Sequence, residues 1–162
     1  MRRGLSTSGP LTTLQRSSMK PDASRFLWSD AWMFLAIGLA NDKGPSSLAR
    51  VIGAADAIQH AVMTWEEVDG GLFRLGKAGY VEVRDGKVSL TQKGRTIFEG
   101  LRAKTIIERQ QELSIAIGAP SWTGHDPTGA RGADQPQIIG QDLYQAAVSQ
   151  YTKHPARTLD GE

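Results

Sequence analysis

The chain has 162 residues, 40% of them hydrophobic and 22% charged, with a formal net charge of +2 and no cysteine. These are ordinary values for one globular domain with tails, and the missing cysteines exclude disulfides, thiolate zinc sites and cysteine nucleophiles. The longest apolar run, Ala31 to Ala40, is about half of the roughly 20 residues a membrane span needs, so it reads as a buried helix and no membrane partner is expected.

Residues 1–25 carry five bases (Arg2, Arg3, Arg16, Lys20, Arg25) against Asp22 alone. The segment is Ser/Thr-rich without helical or strand period, and it lacks the continuous apolar core of a secretory signal. It reads as a flexible basic arm. An organelle transit peptide shares the composition, and a start at Met19 would remove most of it. Residues 26–118 balance at eleven bases and eleven acids, and residues 119–162 hold three bases against five acids. The domain proper is therefore not a basic one.

Order is expected from Phe26. Ser29 is a candidate cap for a first helix running through Ala40, which the turn signal Asn41 to Pro45 ends. A second helix follows Pro45, capped by Ser46 or Ser47, and Leu48, Val51, Ile52, Ala55 and Ile58 recur on one face. Thr64 with Glu67 forms a capping-box pattern for a third helix, whose Trp65, Val68, Leu72 and Leu75 share a side. Gly79 falls where a left-handed helix terminus is needed. Two short β-type runs, Tyr80 to Val83 and Val88 to Leu90, flank Asp85-Gly86, a strong hairpin signal.

From Thr91 to Gly118, Ile97, Leu101, Ile106, Leu113 and Ile117 suit one long helix. About 25 residues at 1.5 Å each reach roughly 38 Å, longer than so small a domain needs, so the helix is expected to pack against a partner. The Gly/Pro/Asp-dense stretch after Gly118 reads as linker. A last short helix is expected over residues 141–152, with Leu143, Ala147 and Tyr151 on one side.

Gly71, then four residues, then Gly76-Lys77 nearly spells a phosphate-binding loop. Such a loop needs a strand before it and a helix after it, so that loop N–H groups and the helix N-terminus meet the phosphates. Here a capped helix precedes the glycines, a strand follows them, and Ala78 supplies no hydroxyl for magnesium. Gly70, Gly71 and Gly76 are better explained by close helix packing. His60, His125 and His154 have no metal-ligand spacing, and no serine-centred nucleophile motif occurs. Neither an enzymatic activity nor a cofactor is expected.

Three helices, a hairpin led by Gly79-Tyr80 and the closing "LTQKG" of Leu90 to Gly94 resemble the winged helix-turn-helix domain of bacterial transcriptional regulators of the MarR and PadR types. The resemblance covers Asp30 to about Gly118. It implies a mainly α fold with a β-hairpin wing and a long C-terminal helix, and the function of a cytoplasmic regulator that binds double-stranded DNA as a homodimer. The third helix would enter the major groove and the wing would touch the backbone. By position, Thr64, Glu66, Glu67, Asp69 and Gly70, then Arg74 and Lys77, would face the groove, with Arg84, Asp85 and Lys87 on the wing.

Charge cuts both ways. The first half of the third helix carries three acids and no base, toward a duplex with about one negative charge per 1.7 Å. Residues 74–104, however, hold eight bases against three acids, which adds Lys93 and Arg95 to the expected contacts. Leu101, Ile106, Leu113 and Ile117 would form the dimer seam. A second reading is a winged helix used for protein contacts, with the tail helix docking a protein partner.

Overall fold

The computed structural model describes residues 26–121 and 135–154. The expected basic arm and most of the expected linker lie outside the described residues. The described chain is mainly helical, with one small three-stranded antiparallel sheet in the order β1-β3-β2.

Helix α1 (Trp28–Ala40) is the central element, buried along nearly its whole length. Its start is fixed by Asp30, whose Oδ2 accepts the Leu27 N–H at 2.8 Å, so Leu27 rather than Ser29 is the capping position. Ser29 is buried in the first turn. A single 3-10 turn (Asn41–Lys43) leads to β1 (Ser46–Ser47). Ser47 then caps α2 (Leu48–Gln59), accepting the Arg50 N–H at 3.3 Å. The expected face of α2 is the buried one, from Leu48 to Ile58. The helix ends at His60, which adopts the left-handed conformation with φ 54°.

Helix α3 (Trp65–Lys77) begins with the expected capping box: Thr64 Oγ1 accepts from Glu67 N–H, and Glu67 Oε2 accepts from Thr64 N–H at 2.7 Å. Residues 70–77 are thus helical, in contrast to a phosphate loop. Gly71 is required by close approach, since a Cβ there would lie 2.7 Å from Met33 Sδ on α1. Gly79, at φ +76°, closes the helix while Tyr80 donates back to Leu75 O. Gly76 has no such crowding, so close packing does not account for it.

Strands β2 (Val81–Arg84) and β3 (Lys87–Leu90) pair with Arg84 opposite Lys87. Asp85 and Gly86 both take positive φ between them, as a type I′ turn demands. The sequence gives no sign of β1, because two serines carry no strand period. It forms because Ser46 Oγ holds Ala40 O at 2.5 Å and Asn41 bonds β3 through both amide atoms, to Val88 O and from Leu90 N.

The expected long helix is two helices, α4 (Gln92–Glu99) and α5 (Ile106–Ile117). Gly100, costly inside a helix by about 1 kcal/mol, ends the first. Thr105 and Glu108 form a second capping box that starts the next. Between them, the Glu112 carboxylate accepts the N–H groups of Arg102 and Ala103. Helix α5 folds back on α1, and α6 (Gln141–Lys153) covers α2. The buried residues of α6 are Tyr144 and Ala147, with Tyr151 half-buried, whereas Leu143 faces outward.

Those two amides hold the Glu112 carboxyl below the usual glutamate range. With the folded value depressed, the contribution is present above the unfolded pKa and fades as pH falls through the lower folded value. Amide exchange at Arg102 and Ala103, corrected for intrinsic rate, should therefore accelerate on acidification below about pH 4. Glu112→Ala, which removes the acceptor, should produce the same loss of protection near neutrality. Unchanged protection in that variant would show that the carboxylate does not hold the connector.

Candidate nucleic-acid interface

Helix α3 turns Val68, Gly71, Leu72 and Leu75 into the core. At 100° per residue the opposite side presents Glu66, Gly70, Phe73 and Lys77, with Trp65 and Asp69 on one flank and Glu67 and Arg74 on the other. The expected contacts fare differently on this surface. Thr64 and Glu66 are exposed at its start and Lys77 at its end, but Asp69, Gly70 and Arg74 are buried.

Arg74 is taken up within the fold. Its Nε and Nη2 donate to the two oxygens of Asp30 at 2.6 and 2.7 Å, with Arg74 6% exposed and Asp30 not at all. This bidentate pair joins α3 to the first turn of α1, and its guanidinium also covers Gly70. Burial pushes the Asp30 carboxyl above its ordinary range, while Arg74 and the Leu27 N–H pull it back. Arg74 is thus held inside the fold and not on the expected exposed side of α3, and the sequence hides this because Asp30 lies 44 positions away.

The acids of α3 are equally committed. Glu67 caps the helix. Asp69 Oδ1 accepts the N–H groups of Ile138 at 2.7 Å and Ile139 at 2.9 Å, and Trp65 Nε1 donates to Ile139 O at 3.1 Å. Ile139 is buried, at 3% exposure. Tyr144 OH then reaches Met63 O at 2.6 Å, and Tyr151 OH bonds Asp56 on α2. Residues 137–140 therefore form a strap along the Trp65–Asp69 flank of α3, and α6 continues it across α2. Of the three acids, Glu66 alone is exposed.

The other expected cations, Arg84, Lys87, Lys93 and Arg95, are exposed on the β2–β3 hairpin and the first turn of α4. Arg84 leans on Glu82 at 3.0 Å. Lys93 Nζ donates to Ala78 O at 2.8 Å and lies 4.6 Å from the Tyr80 ring centre, which places it beside the end of α3. Lys77, Lys87 and Arg95 form no ion pair among the described residues.

The expected dimer seam is mostly interior. Leu113 and Ile117 are core residues of the single chain and Leu101 is half-buried, leaving Ile106 exposed. Because α5 starts afresh at Thr105, its outward apolar residues are Ile106, Ile107 (65% exposed) and Ile115 (82% exposed). Ile107 and Ile115 border a groove of about 920 Å³ shared with Trp28, Trp32, Gln59 and Gln110.

No protein-family model matches the chain, and neither a curated protein nor a solved structure does.

Removing one member of a buried ion pair leaves the other charge without compensation. Arg74→Met should cost about 3–5 kcal/mol in urea unfolding, and Asp30→Leu combined with Arg74→Met should recover most of the loss. A single-variant loss of about 0–1 kcal/mol, the range of exposed pairs, would show that the pair does not join the two helices as described.

Proposed function

We propose that the chain is a winged helix-turn-helix protein that binds duplex DNA, with α2 and α3 as the helix-turn-helix and the β2–β3 hairpin as the wing. The observation that carries this reading is the set of exposed cations on the end of α3, the hairpin and the start of α4. Lys77, Lys87 and Arg95 are without acidic partners among the described residues, and Arg84 and Lys93 stand exposed beside them. Of the acids at the start of α3, Glu66 alone is exposed, while the Glu67 and Asp69 oxygens are turned to backbone N–H groups. Such a protein would work as a cytoplasmic regulator of transcription. No helix among the described residues is long and apolar enough to cross a membrane.

With Arg74 in the core, attraction to phosphate must come from the wing, the end of α3 and the start of α4. Arg84→Ala with Lys87→Ala should weaken binding to all sequences alike and lower the salt slope by about 1–2, near 0.9 for each phosphate left without its cation. Glu66→Gln should strengthen non-specific binding, because it removes a repulsion and keeps the hydrogen-bonding groups. Titration of the full chain against mixed-sequence duplex at about 50 mM salt measures both. No binding by the wild-type chain or by a variant with the strap displaced overturns the reading.

The apolar stripe on α5 supports a homodimer, and also favours the second reading, a winged helix that works through protein contacts without DNA. Ile107 and Ile115 are too exposed to contribute to the fold of one chain. Ile107→Glu with Ile115→Glu should therefore give a folded monomer by sedimentation where the wild type is a dimer. A wild type that sediments as a monomer removes the dimer from the proposal. Self-association without any DNA binding favours the second reading.

A further inference from the structure

The strap lies where a duplex would have to go. An α-helix with its side chains is about 10–12 Å across, and the major groove is about 12 Å wide. Helix α3 by itself would therefore fill the groove. Residues 137–140 run along its flank, held by Asp69 Oδ1 to the N–H groups of Ile138 and Ile139 and by Trp65 Nε1 to Ile139 O. A second backbone beside the first adds roughly 5 Å, the spacing of hydrogen-bonded chains. The combined width exceeds the groove.

We propose that the strap and α6 are a built-in block on groove entry, so that α3 can read a duplex only after residues 137–140 leave its flank. This rests on the DNA-binding reading and adds to it how the same site is regulated. In the closed state the wing and α4 cations remain free to touch phosphates, which gives weak, sequence-independent binding. The open state adds α3. The apparent affinity for a duplex is the open-state affinity reduced by the fraction of molecules that are open.

The anchor suits a reversible block. Main-chain groups of the strap make its hydrogen bonds to α3, and Ile139 is the buried residue among 137–140. Beyond it, Tyr144 and Ala147 keep α6 on α2 and the connection at Met63. Of residues 137–140, Ile139 is the one that joins the buried core, so opening there gives up a single core side chain and leaves the α1–α3 contacts in place.

Ile139→Asp in the full chain tests this. A carboxylate in that buried position beside Asp69 should displace the strap, seen as reduced amide protection at Ile138 and at position 139. The added negative charge would by itself weaken DNA binding. An affinity for mixed-sequence duplex that instead rises by about tenfold or more supports the block. Should Ile139→Asp fail to fold, Ile139→Ala loosens the same anchor, and its affinity should rise in step with its drop in strap protection. Strap release with unchanged or weaker binding, where the wild type binds DNA, overturns the block and leaves the DNA reading standing. If neither wild type nor released variant binds duplex, the DNA reading fails and the block fails with it.

Discussion

The buried pair of Asp30 and Arg74 organises the rest of the molecule. An aspartate with no exposed surface is tolerable only with its charge met, and here both oxygens meet a guanidinium while one also accepts the Leu27 N–H. The pair fixes where α1 begins and how α3 lies on it. Gly71 is the matching concession on α3, since any side chain there would strike Met33 or the Asp30 carboxylate. Desolvating two charges is expensive, and a well-packed apolar pair could fill the space as stably. What the ion pair adds is direction: a bidentate fork accepts one mutual orientation of the helices where apolar contact accepts many.

That geometry also fixes what α3 can offer a ligand. The helix has two bases, Arg74 and Lys77, and the fold consumes the first. Of its acids, Glu67 and Asp69 are consumed as well, by its own N-terminus and by the strap. The helix that composition describes as acidic thus presents Glu66 and Lys77 as its exposed charges. Counting charges along a helix does not tell which of them a ligand can touch, because backbone N–H groups fix some carboxylates against the fold.

The legible parts of the fold are those governed by local rules. The Thr64–Glu67 capping box, the Asp85-Gly86 turn, Gly79 at the end of α3 and the buried face of α2 follow from spacing over a few residues, and the structure has each of them. The break between α4 and α5 is equally local. Thr105 and Glu108 repeat the capping-box spacing of Thr64 and Glu67, but isoleucines on both sides of Thr105 make the stretch resemble a continuous apolar period. Arg74 and Asp69 are illegible for a different reason. Their partners lie 44 and about 70 positions away, and an exposed-looking charge at helical spacing carries no mark of such a partner. The buried side of α6 differs from the expected one by a single residue, because Leu143 and Tyr144 are adjacent and only packing on α2 and Met63 decides between them.

The placement of α5 bears on how strongly such a protein could hold DNA at all. The five exposed cations of the end of α3, the hairpin and the start of α4 (Lys77, Arg84, Lys87, Lys93 and Arg95) correspond to a salt slope of at most about 4–5, at roughly 0.9 per phosphate. One copy with so few contacts, and with α3 flanked by its strap, would bind weakly at physiological salt. The exposed isoleucines of α5 lie on a helix that packs on α1, whereas the cations lie on α3, the hairpin and α4. Association through α5 would therefore not draw on the cationic residues, and two copies would present two sets together. Joined sites bind with the second contact made intramolecular, which raises affinity without any new residue. On that arithmetic the DNA reading depends on the dimer more than on any single base in α3.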